Sequence, residues 1–227
     1  MFNSQRTLVM GIINATPDSF SDGGRNFNPD VAIANGLRML QDGADILDVG
    51  GESSRPGSTY VDDAEELNRV MPVIKGLIQE RPDCVISLDT RRRSVAEPAV
   101  KEGVRIINDI SGFRDDSTLV DLGRESKTGM IVMHMLGTPK DMQKNICYNN
   151  FPQDILDFFV ERTDHLEAKG IDPDRIVVDP GIGFGKTFDQ NLALINRMEL
   201  FSSLGKPVLI GASRKAFLGK ILNEPEA

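Results

Sequence analysis

The sequence predicts an α/β fold built on a parallel sheet. Short runs rich in Val, Ile and Leu alternate with amphipathic stretches along the whole chain. The apolar runs are nearly continuous, as in parallel strands that are covered on both faces. Several amphipathic stretches end at a glycine shortly before the next run, which is a helix stop signal. No linker or shift in composition divides the chain, so we predict a single domain over residues 1–227.

The elements follow one another in a repeating βα order. The predicted strands are residues 7–14, 44–51, 84–90, 105–112, 129–135, 175–180 and 207–213. The predicted helices are residues 31–43, 64–80, 94–103, 117–126, 154–170 and 189–205. This order fits either a doubly wound open sheet or a (β/α)₈ barrel. Both architectures bind ligands at the carboxyl ends of their strands.

Each predicted strand ends near a polar side chain. These residues are Asn14, Asp48, Asp89, Asn108, His134, Asp179 and Ser213. Helix capping explains such a residue at any one position but is a poor explanation for all seven. In a barrel the seven side chains converge on one mouth, whereas in an open sheet they spread along a rim. Convergence favours the barrel, although the sequence supplies seven strands where a barrel needs eight.

Composition excludes several classes of protein. The 227 residues include 34 acidic and 26 basic side chains, a net charge of −8. A chain of this charge repels nucleic acid at long range, and no apolar run is long enough to span a membrane. The two cysteines and two histidines lack the spacing of a disulfide framework or a zinc site. We therefore expect a protein of the reducing cytoplasm that binds neither nucleic acid nor membranes.

Two long loops follow the first two predicted strands. The first, residues 14–24, is polar apart from Phe20, which suggests that this ring packs on a ligand. The second, residues 50–58, begins with two glycines and offers Ser54 and Arg55 as hydrogen-bond donors to an anion. Loops of this length after strands are usually functional.

Two further segments are candidates for ligand binding. Residues 179–187 read DPGIGFGKT, but their glycine spacing differs from that of a P-loop and of a dinucleotide-binding loop. We interpret them as a turn that brings Asp179 and Phe184 to the mouth. Residues 211–215 read GASRK and place basic residues at a helix start. Positive charge there is unfavourable for the helix dipole, so this placement suggests that an anion binds nearby.

Acceptor groups dominate the strand ends. Asp48, Asp89, Asn108 and Asp179 suit a planar ring that is rich in N–H donors. Basic residues at the rim suit a phosphate. The amide oxygen of Asn14 suits a divalent cation shared with phosphate oxygens.

Seven segments, in order, closely resemble dihydropteroate synthases of folate biosynthesis. They are GIINATPDSFSDGG, DVGGESSRPGS, SLDTRRRSV, RIINDISG, MHMLGTPKDMQ, VVDPGIGFGK and IGASRK, and they cover roughly Val9 to Leu222. The resemblance implies a TIM barrel, a homodimer and an enzyme of the class that sulfonamides target. It also implies a Mg²⁺-assisted condensation of p-aminobenzoate with 6-hydroxymethyl-7,8-dihydropterin diphosphate, which gives 7,8-dihydropteroate and pyrophosphate.

The resemblance also implies roles for individual residues. The implied catalytic residues are Asp22, Arg55 and Lys215. The implied pterin-binding residues are Asp89, Asn108, Met133, Asp179, Gly211 and Lys215. The implied contacts to diphosphate and p-aminobenzoate are Phe20, Ser54, Arg55, Pro56, Phe184 and Ser213, and the implied Mg²⁺ ligand is Asn14.

The chain departs from the family pattern at two places. Ser54 stands where the family commonly has threonine, which keeps the hydroxyl group. Family members also continue past the position of Ala227 into an eighth strand with an Arg-x-His motif and a last helix. We therefore expect a barrel that lacks these elements here, either because the chain is truncated or because something else closes the barrel.

Two alternative functions stay open at this point. One is a related pterin-binding methyltransferase domain, which the intact first loop disfavours. The other is a pterin-binding remnant without catalysis, inactive because the anion-binding strand is absent.

Overall fold

The computed structural model describes residues 2, 6–16 and 28–224. Its centre is one parallel sheet of six strands that lie in the order of the sequence. The strands are β1 (Met10–Asn14), β2 (Ile46–Gly50), β3 (Val85–Asp89), β4 (Ile106–Asp109), β5 (Gly129–Met133) and β6 (Ile176–Asp179). A parallel sheet whose strands follow chain order is the arrangement of a (β/α) barrel, not of a doubly wound sheet.

A helix follows each strand, which confirms the predicted βα order. The helices are α1 (Pro29–Gln41), α2 (Asp63–Glu80), α3 (Arg93–Glu102), α4 (Thr118–Ser126), α5 (Gln153–Ala168), α6 (Phe188–Asn196), α7 (Glu199–Ser202) and α8 (Ala216–Leu222). A short 3₁₀ turn, Pro173–Arg175, precedes β6. The stretch predicted as one helix over 189–205 forms two, because the first helix ends at Asn196. No helix in the described part of the chain is long and apolar enough to cross a membrane.

The strands bury different side chains on their two faces. On the outer face, residues such as Leu47, Leu88 and Val132 pack against the helices in the main core. On the inner face, Ile46, Ile106, Ile131 and Val177 form a separate apolar floor. Because side chains alternate along a strand, the next inner positions toward the carboxyl ends are Asp48, Asn108, Met133 and Asp179, three of which are polar. The inside of the curved sheet therefore has an apolar floor below a polar mouth.

The predicted seventh strand is present only in part. Backbone bonds join Val178 N to Pro207 O at 3.0 Å and Leu209 N to Val178 O at 2.9 Å, and the pairing extends no further. Residues 210–213 run on without a strand partner among the described residues, so they lack the ladder that would keep them extended. The exposed side chains of Ile12 and Ile210 lie at the two edges of the sheet.

Local signals explain where the helices begin. Asn28 caps α1 by accepting a hydrogen bond from the Asp30 N–H, and Asp62 caps α2 through the Glu65 N–H. Thr187 and Gln190 form a capping box at α6. This last cap directly follows the 179–187 turn, so it anchors the end of a segment that reaches the mouth.

Candidate active site

The carboxyl ends of the strands bring the acceptor groups together. Asp89 of β3 lies in register with Asn108 of β4, and Met133 of β5 lies in register with Asp179 of β6. Asp48 lies two residues below the end of β2, on the same inner face. Four acceptor side chains predicted from the sequence therefore share one mouth.

Asp48 and Asn108 form a buried pair at the base of this mouth. The Asn108 Nδ2 donates to Asp48 Oδ2 at 3.0 Å. Burial raises the pKa of Asp48, and the neighbouring Ser87 and Asn108 side chains act in the opposite direction. Among the described residues, the buried atoms Asp48 Oδ1 and Asn108 Oδ1 have no hydrogen-bond partner. Unsatisfied buried acceptors are costly, so these two oxygens are suited to receive donors from a ligand.

Two further carboxyl groups in the mouth are also hard to ionise. Burial and then the negative charges of Asp48 and Glu66 raise the pKa of Asp89 well above its usual range. Burial also raises the pKa of Asp179 to about 6, although its Oδ1 accepts a 2.8 Å bond from the Gly181 N–H and two lysines lie nearby. Carboxyl groups shifted in this way cluster at functional sites.

Lys215 faces these carboxyl groups from the start of α8. Its Nζ lies 4.1 Å from the centre of the Phe184 ring, a cation–π distance. Burial lowers the pKa of Lys215, and the negative charges of Asp179 and Asp89 oppose that shift. The structure therefore brings the Phe184 ring and the Lys215 ammonium together at one side of the site.

Residues 179–187 form a tight turn at the end of β6. Gly181 has φ +66°, and a Cβ there would lie 2.1 Å from the His134 carbonyl oxygen. Gly185 has φ +64°, and a Cβ there would meet the side chain of Leu136 at 2.7 Å. The glycines therefore allow close packing of this turn on the chain that follows β5.

An ion network supports the loop after β2. Glu52 accepts from Arg91 at 3.3 Å and from Arg92 at 2.9 Å, and Arg92 also bonds to the buried Glu66. Arg91 stacks 3.5 Å from the centre of the Tyr60 ring. Sequence reasoning assigned no role to these side chains, although the Arg91–Arg93 run was a visible signal.

The remaining predicted site residues differ in their exposure. Asn14 ends β1 and is exposed, as are Arg55 and Pro56 in the loop after β2. Ser54 lines a small cleft with Asp89. Met133 is buried beside Phe184 in a cluster with Ile110, Met135 and Met142.

Gly211 and Ser213 lie beyond the paired part of the 207–213 segment, and the Ser213 side chain is exposed. Phe20 and Asp22 lie outside the described residues.

His134 does not open into the mouth, contrary to expectation. Its ring is buried against Phe158 at 4.9 Å and Tyr148 at 6.0 Å. Burial and then the Lys186 charge lower the pKa of His134 to about 2. His134 comes directly after the inward-facing Met133, so strand alternation turns it toward the helices. Sequence reasoning also missed its partner Lys186.

The described residues contain no cluster of three or more His, Cys, Asp or Glu side chains able to hold a metal ion. A metal at this mouth would therefore need ligands from a substrate or from water in addition to Asn14.

The fold and the polar mouth have known counterparts. A family model described as pterin binding enzyme matches residues 10–227. The chain is 44% identical over 221 residues to a dihydropteroate synthase of Bacillus subtilis, covering 97% of this chain and 75% of that relative. It is 43% identical over 222 residues to a dihydropteroate synthase of Synechocystis, covering 98% of this chain and 76% of the relative. The chain therefore belongs to the pterin-binding enzymes, and within them to the dihydropteroate synthase family.

Solved structures agree with this membership. A dihydropteroate synthase from Clostridium difficile, crystallised with pteroic acid, has a TM-score of 0.90 and 44% identity, with 98% of this chain and 82% of that chain covered. The Xanthomonas albilineans enzyme with 4-aminobenzoic acid has a TM-score of 0.89 and 41% identity, with 96% and 77% covered. The Yersinia pestis enzyme in a sulfonamide complex has a TM-score of 0.90 and 39% identity, with 97% and 80% covered. The resemblance stated from the motifs is thus confirmed, and so is the barrel-type fold.

Proposed function

We propose that the chain condenses p-aminobenzoate with 6-hydroxymethyl-7,8-dihydropterin diphosphate and releases 7,8-dihydropteroate and pyrophosphate. The observation that carries this proposal is the buried acceptor pair Asp48–Asn108, which leaves two oxygens without donors. A pterin edge presents ring N–H and amino donors to such acceptors. The family membership and the relatives crystallised with pteroic acid and 4-aminobenzoic acid support the same conclusion.

The pterin is proposed to lie across the inner face of β3 to β6. Asp89, Asn108 and Asp179 accept hydrogen bonds from its donor edge, and the Met133 side chain contacts the ring. Gly211 lines the pocket from the segment beside β6. Binding of the donor edge favours ionised carboxylates, so the ligand itself opposes the raised pKa of Asp179 and Asp89.

The second substrate is proposed to bind nearer the rim. Phe184 and Ser213 contact the p-aminobenzoate, together with Ser54, Arg55 and Pro56 of the loop after β2. Phe20 is included in this set from the family motif alone. The cations Arg55 and Lys215 offset negative charge as the diphosphate leaves, and Asp22 is assigned a catalytic role on the same basis as Phe20.

The reaction breaks the bond between the pterin methylene carbon and the diphosphate oxygen. The aniline nitrogen then forms a bond to that carbon and loses a proton. Departure of pyrophosphate before attack requires no strong general base, which agrees with the low pKa and buried position of His134. Stabilisation of the departing charge is then the main contribution of the protein.

The amide oxygen of Asn14 fits Mg²⁺ as a single hard ligand at the rim. When bound, Mg²⁺ would neutralise charge on the diphosphate, whose oxygens and water would complete the coordination. Asn14 is the residue proposed to orient this end of the substrate. A homodimer and a cytoplasmic location, both implied at the level of sequence, complete the proposal.

The direct test is p-aminobenzoate-dependent release of pyrophosphate by the 227-residue protein with Mg²⁺ and the pterin diphosphate. We expect release that stops when p-aminobenzoate is omitted. Asp179→Ala should abolish it, whereas Asp174→Asn, an exposed change at the opposite end of β6, should leave it unchanged. Full activity of Asp179→Ala would refute the pterin-site assignment. Light scattering of the same sample tests the homodimer.

Pteroic acid binding separates the alternative functions. A folded protein that binds pteroic acid but releases no pyrophosphate would be a pterin-binding remnant. A protein that binds no pteroic acid would contradict the proposed site as a whole.

A further inference from the structure

Lys186 is a buried cation with an unusual set of partners. It is 3% exposed, and its Nζ lies within hydrogen-bond distance of three backbone carbonyl oxygens. These belong to Phe184 at 2.9 Å, Gly181 at 3.0 Å and His134 at 3.3 Å. The fourth contact is to His134 Nδ1 at 3.1 Å. Because the pKa of His134 is about 2, its imidazole is neutral and accepts from the ammonium group.

The partners of Lys186 belong to two separate loops. His134 directly follows β5, whereas Gly181 and Phe184 lie in the turn after β6. The other side-chain bonds that join this turn to the preceding loop are neutral. Tyr148 Oη donates to the Gly185 carbonyl at 2.9 Å, and Gln143 Nε2 donates to the Gly183 carbonyl at 2.9 Å. Lys186 is therefore the one charged donor among the three side chains, Lys186, Tyr148 and Gln143, whose hydrogen bonds hold the turn against the preceding loop.

Both ends of the turn carry proposed ligand contacts. Asp179 precedes it and bonds to Gly181, while Phe184 lies within it beneath Lys215. The charged and titratable groups that influence this region are Asp179, Asp48, Lys215, His134 and Arg114. No carboxylate of the described residues lies within ion-pair distance of Lys186, so the charge of Lys186 acts on Asp179 through the low-dielectric interior and not through a direct bond.

From this geometry we propose that Lys186 is a positioning residue for both substrates. Its three carbonyl bonds hold the turn that places Phe184, and its charge keeps Asp179 ionised for the pterin donors. The proposal rests on the function proposed above. Burial lowers the pKa of Lys186 and raises that of Asp179, and the charge of each group opposes the shift of the other.

The test compares Lys186→Met with the wild-type protein. Met has a similar length but carries no charge and no donor. Pteroic acid binding, measured by calorimetry from pH 5 to pH 8.5, weakens on acidification as the acceptors Asp89 and Asp179 are protonated. We expect the midpoint of that loss to move upward by about one pH unit in Lys186→Met, because a nearby opposite charge has been removed. We also expect the KM for p-aminobenzoate to rise about tenfold.

Lys206→Met is the matched control. Lys206 is also largely buried, but it bonds to Glu167 at 2.7 Å and to the Pro173 carbonyl at the opposite end of the barrel. Its loss should change stability without moving the pH midpoint. The proposal would be overturned if Lys186→Met changed neither the pH midpoint nor the KM for p-aminobenzoate. It would also be overturned if Lys186→Met, like Lys206→Met, lost stability and nothing else.

Two further variants cover a failure of Lys186→Met to fold. Lys186→Gln keeps an amide donor but no charge, and the same upward shift of the midpoint is expected. Tyr148→Phe removes a neutral tie to the turn, so the KM for p-aminobenzoate should rise while the midpoint stays in place. Absence of both effects would overturn the proposal. Failure of the wild-type protein to bind pteroic acid would instead refute the proposed function.

Discussion

Asn108 and Asp48 lie sixty positions apart in the chain, yet the amide of the first donates to the carboxylate of the second at 3.0 Å. The bond uses only Oδ2 of Asp48. Asp48 Oδ1 and Asn108 Oδ1 have no partner among the described residues. The base of the mouth is therefore organised by an internal bond and still has acceptors available for a ligand.

Removing the Asn108 amide should weaken both folding and binding. In Asn108→Ala the buried Asp48 carboxylate loses its donor, so the free energy of unfolding should fall by about 1–3 kcal/mol. Pteroic acid affinity should fall at least tenfold. The double variant Asp48→Asn/Asn108→Ala should recover stability but not affinity, because it removes the unpaired charge without restoring the site. Additive losses of stability in the urea-unfolding cycle would contradict this coupling.

Asp179 should cost stability at neutral pH. Its pKa in the folded protein, about 6, lies above the ordinary value of 3.8. Between these values the folded state binds more protons than the unfolded state, so the free energy of unfolding falls as pH rises from about 4 to about 6. Asp179→Asn keeps an acceptor for the Gly181 N–H and removes this cost.

We therefore expect Asp179→Asn to be more stable than wild type by about 1–3 kcal/mol at pH 7.5 and little changed at pH 3.5. Pyrophosphate release should fall more than a hundredfold. Urea unfolding at the two pH values checks the first statement, and equal destabilisation at both would count against it. Asp174→Asn should change neither property.

The contact between Phe184 and Lys215 should contribute to p-aminobenzoate binding. Phe184→Leu keeps an apolar side chain but removes the ring 4.1 Å from the Lys215 ammonium. A cation–π contact is worth roughly 0.5–2 kcal/mol, so the KM for p-aminobenzoate should rise about twofold to thirtyfold.

Phe188→Leu is the control for this change, because it removes a similar contact to Lys220, 4.4 Å from the ring, outside the proposed site. Equal kinetics for the two variants would show that the Phe184 ring has no specific role.

Gly181 should be essential for the turn after β6. Gly181→Ala combines a positive φ with a Cβ that would lie 2.1 Å from the His134 carbonyl oxygen. We expect the free energy of unfolding to fall by more than about 3 kcal/mol and pteroic acid binding to be unmeasurable.

Gly205 is the matched comparison, since it has φ +63° but open space around a new Cβ. In Gly205→Ala the free energy of unfolding should fall by about 1–2 kcal/mol, and the variant should bind pteroic acid normally. If both variants lost the same free energy, backbone strain alone would explain the result and the close approach at Gly181 would be unimportant.

Much of the fold was predictable because it depends on local patterns. The apolar runs of the parallel strands, the caps at Asn28 and Asp62 and the glycine stop signals all act within a few residues. The six strands and the βα order were predicted correctly for this reason. The 207–213 segment was predicted as a full strand because its composition is strand-like, but it makes few of the pairing bonds that a strand needs.

The acceptor residues at the strand ends could be identified without a structure, because their positions follow from the lengths of the preceding apolar runs. Tertiary structure alone decided which of them share an environment. Alternation turned His134 outward, packing of two loops buried Lys186 among carbonyl groups, and strand register joined Asn108 to Asp48. These outcomes depend on contacts between residues that are distant in sequence. Burial in those contacts also raises the pKa of Asp179, a property that the residue type alone does not specify.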